Sequence, residues 1–405
     1  MIFKIKLHWQ ILIALVLAVA FGYYLPNQIP YISWMGVVFL RALNMIVVPL
    51  ILSSIISGVA SVGGGSNLGR LGAKTMLFYV VTSLIAILVG VFLVNFFQPG
   101  VGANLSSAEA LKTLPSASNS ASEILIRTIP DNVFEAMARG QILPVIFFAI
   151  LFGFFITQIQ TEKQQVLTRF FDSLFEVMMK ITMFIIRFTP LGVFAIVAKE
   201  VAKNAGSLGN IAGSLGIYML TVIIGLIIHA GIILPLLVKF VGKANPYKHF
   251  RNMATPLLTA FSTSSSNAAL PLSMVAVEQK NGVSAKITSF TLPLGATVNM
   301  NGTALYECVA VIFIAQAYGI DLTTGQQAII VLTALLAAIG SAGIPMAGLV
   351  MMTIVLTAVN LPLEGVGLVL AVDRVLDMSR TTVNVWGDTC AAVIIAKSEG
   401  ETLNV

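Results

Sequence analysis

A row of polar side chains interrupts the last long apolar segment of this chain, and their types suit the binding of charged solutes. The row consists of Asp373, Asp377, Arg380, Thr381, Asn384 and Asp388. Spacings of three and four residues place these groups on one face of a helix, with Arg380 at its border and Arg374 off it. Because a charged side chain at a bilayer centre costs about 2.5 to 3.5 kcal/mol on insertion scales, the row predicts a functional site. The alternative is a structural ion-pair network between helices.

The charges of this polar row leave negative charge without a partner. Asp373, Asp377 and Asp388 face one arginine, Arg380, so two carboxylates are uncompensated, or one if Arg374 is counted. A bound cation would offset the cost of burying that charge. An arginine can also bind a carboxylate through two parallel hydrogen bonds while an aspartate pairs with an amine. A solute that carries both groups, such as an acidic amino acid, fits this set best.

Composition indicates that the helix belongs to a membrane protein with many spans. The chain has 405 residues, of which 57% are hydrophobic and only 10% are charged. These values lie far outside those of an ordinary soluble domain. Apolar runs long enough to cross a hydrocarbon core of about 30 Å recur along the first part of the chain. They cover residues 11–25, 32–59, 75–97, 142–159, 178–197 and 211–238.

Basic residues in the connections predict the orientation of the spans. They cluster on one side if the helices alternate, at Lys4 and Lys6, Arg70 and Lys74, Lys163 and Arg169, and in residues 239–251; Lys199 and Lys203 break the pattern. Lysine and arginine are enriched in cytoplasmic loops, so that side and both termini are predicted to be cytoplasmic. The net charge of +6 therefore does not indicate nucleic acid as a partner. Both cysteines lie in apolar segments, which indicates neither a disulfide framework nor a metal cluster.

The second part of the chain contains apolar segments that are interrupted at their centres. Residues 255–277 are interrupted by the polar run 262–267, and residues 331–359 by the glycine-rich run 340–345. Each segment is predicted to form two half-helices joined by a tip, and each precedes a span that carries polar residues. Interrupted segments at corresponding positions of two halves mark the binding site of many secondary transporters.

Several groups in these segments are suited to hold ligands. Residues 264–266 offer hydroxyl and N–H groups at the start of a half-helix, which suits a carboxylate, although they could also form a serine-rich loop. The glycine-rich tip at residues 340–348 offers free carbonyl groups for an alkali cation, or forms a simple turn. Asn299 and Asn301 directly precede Gly302, which predicts local unwinding. Hard oxygen donors without a set of cysteine and histidine ligands favour sodium over transition metals.

Glu307 lies in an apolar stretch of the same span as Asn301. Apolar surroundings favour the neutral form of a carboxyl group, which predicts a proton carrier. A hydrogen bond to a neighbouring helix is the alternative. His8, His229 and His249 lie near predicted helix ends or in apolar surroundings, and no functional role is predicted for them.

The whole chain resembles the dicarboxylate/amino acid:cation symporter family, which includes archaeal aspartate transporters and excitatory amino-acid transporters. The motifs that carry the resemblance occur in the family's order at residues 263–266 (TSSS), 294–306 (LGATVNMNGTALY), 341–345 (SAGIP) and 377–388 (DMSRTTVNVWGD). The resemblance implies an all-α polytopic membrane protein with eight transmembrane helices and two re-entrant helical hairpins. It also implies a homotrimer in which each protomer moves a transport domain like an elevator against a fixed scaffold.

The resemblance divides the chain between these two domains. The scaffold would comprise residues 1–72 (helices 1 and 2), 125–165 (helix 4) and 166–205 (helix 5). The transport domain would comprise residues 73–124 (helix 3 and a loop), 206–244 (helix 6), 245–281 (hairpin 1), 282–320 (broken helix 7), 321–361 (hairpin 2) and 362–405 (helix 8).

The resemblance also implies roles for single residues. Arg380 would bind the side-chain carboxylate of the substrate, Asp377 its amine, and Asn384 its main-chain carboxylate. The other substrate-binding residues would be Ser264, Ser265, Ser266, Met300, Thr303, Gly343, Ile344, Gly348 and Thr381. The sodium sites would use Gly295, Asn299, Asn384 and Asp388; Thr297, Ala338, Ile339 and Ser341; and Tyr79, Thr82, Ser83, Asn299 and Asn301.

The chain departs from the family pattern at three places. Sodium-coupled relatives usually have aspartate at the position of Asn301, so the third sodium site lacks a negative charge. Glu307 matches the glutamate with which excitatory transporters carry a proton, whereas archaeal members have glutamine. Together these suggest fewer sodium ions and a coupled proton. Archaeal members have an arginine at the position of Ser264, and excitatory transporters have one at Met378; Arg374 could take its place.

The sequence therefore predicts a symporter of the cell membrane that imports glutamate or aspartate with sodium, protons or both, and that needs no organic cofactor. A carrier of C4-dicarboxylates is the alternative within the class, although such a substrate would leave Asp377 without an amine. An anion channel is an alternative of another class. An enzyme is disfavoured, because no nucleophile with a positioned base is recognisable. Glutamate and aspartate differ by one methylene, worth about 1 to 3 kcal/mol of discrimination, so the sequence does not separate them.

Overall fold

The chain folds into helices joined by turns. The computed structural model describes residues 7–61, 66–103, 129–203, 208–339 and 347–405, and these contain no β-strand, which confirms the predicted all-α class. The helices are α1 (Leu7–Tyr24), α2 (Ile29–Ser61), α3 (Ser66–Phe97), α4 (Val133–Ala138), α5 (Ile142–Ile156), α6 (Thr161–Ile186), α7 (Thr189–Lys203), α8 (Leu208–Ile228), α9 (Leu234–Phe240), α10 (Pro246–Asn252), α11 (Ala254–Thr263), α12 (Ser266–Asn281), α13 (Ala285–Val298), α14 (Asn301–Ala317), α15 (Thr324–Ile339), α16 (Ala347–Ala358) and α17 (Val366–Ser398).

Several helical segments are long and apolar enough to cross a membrane. Within the described ranges there are four, Pro26–Ala60, Arg70–Phe97, Ile211–Phe240 and Ala285–Ala317, or five if α6 and α7 together form one bent span. α17 is 33 residues long, but its charged side chains exclude it from a count based on apolar composition. The protein is thus a multi-pass membrane protein, and the number of eight transmembrane helices stays a prediction.

The run predicted as one span at residues 178–197 is divided between two helices. α6 ends at Ile186, α7 begins at Thr189, and their axes differ by 52°. Pro190 is the second residue of α7. In a continuous helix a proline has no N–H group to donate to the carbonyl four residues earlier, and its ring clashes with that carbonyl, whereas the first turn of a new helix accepts it. A break just before Pro190 is the physical consequence.

A π-helical turn, His229–Ile233, joins α8 to α9. In this turn the N–H of Leu234 donates to the carbonyl of His229, five residues earlier, so the carbonyl of Ala230 is left for another donor. Trp386 of α17 supplies it, because its Nε1 donates to Ala230 O at 3.0 Å. The turn therefore connects this span to the helix that carries the polar row.

The helices form two groups that pack mainly within themselves. In the first, α2 packs on α5, α6 and α7, and α1 packs on α7. In the second, α14 and α17 lie at the centre, and α3, α8, α11, α12, α13, α15 and α16 surround them. All side chains of α14 except Gln316 are buried, which identifies it as the core of the second group.

Each interrupted segment forms a pair of helices that contact each other. In the first pair, α11 and α12, the break lies at Ser264 and Ser265, within the polar run that predicted it. Ser264 has a left-handed backbone conformation (φ 52°, ψ 36°), and Ser265 caps α12 by accepting a hydrogen bond from the N–H of Ala268. In the second pair, α15 contacts α16, and the predicted tip at residues 340–346 lies outside the described residues.

The span that follows the first pair is broken where unwinding was predicted. Asn299 (φ −94°, ψ 68°) and Met300 (φ −97°, ψ 53°) are not helical, and they separate α13 from α14. The break leaves the first N–H groups of α14 without partners inside the helix. Side chains from another helix must therefore satisfy them.

Candidate functional site

Asn384 of α17 closes the break between α13 and α14. Its Oδ1 accepts hydrogen bonds from the backbone N–H groups of Gly302 at 2.8 Å and Thr303 at 3.4 Å. Its Nδ2 donates to Thr303 Oγ1 at 3.0 Å and contacts Met300 Sδ at 3.1 Å. Asn384 thus caps α14 from a helix that is distant in sequence, as an N-cap residue does locally. The family resemblance assigned contacts with both substrate and sodium to Asn384. The same side chain also joins α14 to α17.

At Gly302 the start of α14 lies directly on the backbone of α17. A Cβ atom at this position would stand 2.6 Å from the carbonyl oxygen of Arg380 and 3.0 Å from its Cα. Real Cβ atoms do not approach backbone atoms so closely, and a backbone cannot rotate away as a side chain can. Only glycine allows this approach, which brings Asn384 to the helix start.

We expect Gly302→Ala to push α14 away from α17. An overpacked core site costs about 1 to 3 kcal/mol, and here the same shift would also weaken the bonds of Asn384 to α14. The variant should unfold at a lower temperature in detergent and bind its substrate more weakly. Gly216→Ala on α8 is the matched control, since a Cβ there meets nothing within 4 Å. Equal unfolding temperatures for the two variants would contradict this account.

Arg380 lies at the centre of the polar row and is 1% exposed, whereas helical spacing had placed it at the border. Its Nη2 and Nε donate to Asp377 Oδ1 at 2.9 and 3.1 Å, and its Nη1 lies 3.4 Å from Asp373 Oδ1. The guanidinium carbon stands 4.3 Å from the centre of the Tyr306 ring, and the Tyr306 hydroxyl donates to Asp373 Oδ1 at 2.7 Å. Two carboxylates and an aromatic face therefore fix the orientation of Arg380.

No role was predicted for Tyr306, although a signal was present. Tyr306 follows Thr303 by three residues on α14, so both side chains lie on the same face of that helix. The predicted substrate residue Thr303 could therefore have identified its neighbour.

Arg374 also reaches the polar row, so the prediction that it points off this face is wrong. Its Nη1 donates to Ser264 Oγ at 2.9 Å and lies 4.0 Å from Asp377 Oδ2, and its side chain is 29% exposed. A long side chain can extend along the helix surface beyond the direction that its Cβ sets. Asp373 and Asp377 are thus balanced by Arg374 and Arg380. The negative charge left over in the row is that of Asp388.

Asp388 lies where a cation would be stabilised. Its Oδ1 accepts a hydrogen bond from Asn299 Nδ2 at 2.8 Å, while Asn299 Oδ1 is buried and has no hydrogen-bond partner among the described residues. The backbone of α13 is close as well, because a Cβ on Gly295 would stand 2.5 Å from Asp388 Oδ1. An uncompensated carboxylate and an unpartnered amide oxygen are hard donors, which suits a sodium ion. Of the first predicted sodium set, the side chain of Asn384 alone faces elsewhere, towards α14.

Two residues of the third predicted sodium set bond to each other. Ser83 Oγ donates to Asn301 Oδ1 at 3.0 Å, and Asn301 Nδ2 lies 3.2 Å from His229 Nε2. No role was predicted for His229, because the local sequence does not predict the π-helical turn in which it lies. The amide of Asn301 is therefore engaged on both sides.

Two further members of that set, Thr82 and Tyr79, lie near these residues but bond to backbone carbonyls. Thr82 Oγ1 donates to Phe78 O at 2.7 Å, and Tyr79 OH donates to Thr291 O at 2.7 Å. Tyr79 stands beside the first predicted sodium set, because a Cβ on Gly295 would be 2.7 Å from its hydroxyl oxygen. The structure therefore joins Tyr79 to the surroundings of Asp388.

The remaining predicted residues are placed only in part. Thr297 lies on α13, and Ala338 and Ile339 end α15, which contacts α13. Gly348 stands against the Arg380 guanidinium, and Thr381 and Ser266 are buried. Three further residues lie outside the described ranges: Ser341, Gly343 and Ile344. The second sodium site and the second-hairpin contacts thus stay predictions.

Glu307 is fully buried on α14, and neither of its carboxyl oxygens has a hydrogen-bond partner among the described residues. The predicted alternative, a bond to a neighbouring helix, is therefore not seen there. A buried carboxylate without hydrogen bonds costs several kcal/mol, whereas a neutral carboxylic acid costs much less. These surroundings suit a group that carries a proton.

Comparison with known proteins relates the chain to transporters over nearly its whole length. The profile of the sodium:dicarboxylate symporter family matches residues 7–398. The chain is 36% identical over 414 residues to the proton/glutamate-aspartate symporter of Escherichia coli (strain K12), covering 98% of this chain and 93% of that protein. It is 37% identical over 409 residues to the proton/sodium-glutamate symport protein of Bacillus caldotenax, covering 98% and 96%. It is 37% identical over 417 residues to excitatory amino acid transporter 3 of Mus musculus, covering 91% and 79%.

Proposed function

The chain belongs to the sodium:dicarboxylate symporter family, and from this premise we propose that it imports glutamate or aspartate across the cell membrane together with sodium ions, protons or both. The observation that carries the substrate class is the buried pair of Arg380 and Asp377, whose charges match those of an acidic amino acid. The relatives named as glutamate or aspartate symporters support the same reading.

The pair supplies a mechanism for substrate binding by exchange of partners. In the structure Arg380 and Asp377 neutralise each other at 2.9 Å. An acidic amino acid brings one carboxylate for Arg380 and one ammonium group for Asp377, so neither protein charge is left buried without a partner. Leaving one unpaired would cost about 3 to 5 kcal/mol. The site is therefore built for a substrate that carries both charges.

A sodium ion at Asp388 and Asn299 would complete the charge balance of the row. Asp388 is the carboxylate that no arginine of the row offsets, and Asn299 Oδ1 is an available oxygen next to it. Because Asn299 begins the break that Asn384 caps, an ion there would stabilise the same unwound backbone that borders the substrate residues. Binding of ion and substrate would thus favour each other.

Uptake into liposomes tests the coupling. We expect purified protein to accumulate labelled aspartate when an inward sodium or proton gradient is imposed, because a sodium ion would offset the charge of Asp388 and a proton would neutralise Glu307. Each gradient is applied separately at zero membrane potential, and protein-free liposomes serve as the control. If neither gradient stimulates uptake, the proposed coupling is wrong.

Competition distinguishes the substrate classes on the same preparation. Unlabelled glutamate and aspartate should inhibit uptake, whereas succinate and malate should not, because a dicarboxylate offers no amine to Asp377. Saturable uptake of labelled succinate that unlabelled aspartate does not inhibit would assign a C4-dicarboxylate carrier instead. Currents that do not depend on substrate, without saturable uptake, would indicate an anion channel.

We further propose the elevator arrangement and the homotrimer that the family resemblance implies. The division of the helices into two groups supports a moving body built on α14 and α17 and a scaffold built on α2. The basic residues in alternate connections support cytoplasmic termini. Cross-linking of the protein in native membranes, which should yield a trimer and nothing larger, tests the oligomeric state.

A further inference from the structure

Arg374 connects two elements that meet at the edge of the candidate substrate site. Its Nη1 donates to Ser264 Oγ at 2.9 Å, and the two residues are 110 positions apart in the sequence. Ser264 stands at the junction of α11 and α12, whereas Arg374 belongs to α17. A hydrogen bond from a charged donor is roughly twice as strong as one between neutral groups. This contact therefore ties the junction to the helix that carries the charged row.

The backbone conformation at this junction is unfavourable, so a hydrogen bond to another helix is important for its stability. Ser264 is 1% exposed and has a left-handed backbone conformation, which costs a residue with a side chain about 1 to 2 kcal/mol. Its N–H group donates to the carbonyl of Ala260 at 2.9 Å, which ends α11. The hydroxyl is then the group through which Ser264 is attached to another element.

Arg374 also stands beside the carboxylate assigned to the substrate amine. Arg380 donates two hydrogen bonds to Asp377 Oδ1, and Arg374 approaches the second oxygen, Oδ2, at 4.0 Å. When a substrate carboxylate draws Arg380 towards itself, Arg374 remains as a cation next to Asp377. It would then hold that carboxylate in position for the amine.

We propose that Arg374 is a positioning residue for substrate binding: it fixes the junction of α11 and α12 against α17 through Ser264 and holds Asp377 in place while Arg380 changes partners. Its side chain acts through these two residues and not through a contact with the substrate. The inference rests on the proposed uptake of acidic amino acids.

Substitution of Arg374 should weaken substrate binding much more than it slows transport. We expect Arg374→Ala to raise the dissociation constant for aspartate about tenfold, the loss that follows from one charged hydrogen bond, with little change in the maximal uptake rate. Arg374→Lys, which keeps the charge, should restore most of the affinity. A residue needed only for folding would lower the maximal rate and would not be rescued in this way.

A double-mutant cycle tests the partner. Ser264→Ala should weaken binding, and Arg374→Ala combined with Ser264→Ala should bind no worse than Arg374→Ala alone, because both changes remove the same contact. Lys239→Ala on α9, an exposed basic residue beside Phe240, removes one positive charge elsewhere and should bind as the wild type does. Additive effects of the two substitutions, or an unchanged affinity in Arg374→Ala, would overturn the proposal.

Hydrogen exchange without substrate separates this inference from the proposed function. In Arg374→Ala the amides of residues 264–269 should exchange faster than in the wild type, because the junction has lost its tie to α17. Unchanged exchange there would show that Arg374 does not stabilise the junction through Ser264, even if aspartate is transported. Conversely, a wild type that binds neither aspartate nor glutamate would refute the proposed substrate and leave the exchange result as the test of the tie.

Discussion

Arg380→Cys should lose uptake of aspartate and glutamate and gain uptake of small neutral amino acids such as serine. The substrate's side-chain carboxylate would enter a site in which no guanidinium group can pair with it, and an unpaired buried charge costs about 3 to 5 kcal/mol. The affinity for aspartate should therefore fall at least about 100-fold. A neutral amino acid needs no such partner, while Asp377 can still accept its amine.

Uptake of labelled aspartate and labelled serine into liposomes measures both effects on one preparation. Serine uptake shows that the variant is folded, so loss of aspartate uptake cannot be ascribed to misfolding. Arg139→Cys is the matched control, because Arg139 is exposed and pairs with Glu135 of its own helical turn at 2.8 Å. An Arg380→Cys protein that transports aspartate with unchanged affinity would show that the assignment of the pocket is wrong.

Glu307→Gln should abolish uptake driven by a proton gradient. Glutamine has nearly the same volume but cannot gain or lose a proton, so the buried site keeps its packing and loses its ionisable group. In the wild type we expect the rate to rise as the external solution becomes more acidic, since each substrate then enters with a proton. In the variant the rate should not respond to pH.

The decisive measurement imposes a proton gradient without a sodium gradient. A second measurement on the same liposomes follows the exchange of labelled for unlabelled aspartate. Glu307→Gln should show only background uptake in the first case, and exchange of labelled for unlabelled aspartate should persist, which demonstrates a functional binding site. Glu162→Gln, an exposed acid at the start of α6, should behave as the wild type does. Proton-driven accumulation by Glu307→Gln would assign the proton to another residue.

Much of the fold follows from the sequence because a bilayer makes polar groups conspicuous. No water is available in the hydrocarbon core, so a polar run inside an apolar segment must mark a break, a cavity or a partner. The breaks at Ser264 and at Asn299 were predicted on this basis, and the structure places them there. The division of residues 178–197 before Pro190 was missed, because the apolar run continues across the proline.

The pairing of the charged residues could not be predicted from helical spacing. Periodicity gives the direction of each Cβ but not the path of a long side chain, so Arg380 was placed at the border of the row and Arg374 off it. The structure shows both beside Asp377, and this leaves the uncompensated charge at Asp388. The location of that charge decides where a cation is expected.

The sequence by itself determined the class of protein, the interrupted segments and the set of residues that carry charge, since each of these follows from the cost of a polar group in an apolar segment. Only the tertiary structure shows which of these polar residues contact each other. Asn384 with Gly302, Asn301 with His229 and Arg374 with Ser264 join elements 72 to 110 residues apart. Such contacts depend on the rotation and depth at which helices pack, and on one π-helical turn, none of which the local residue pattern encodes.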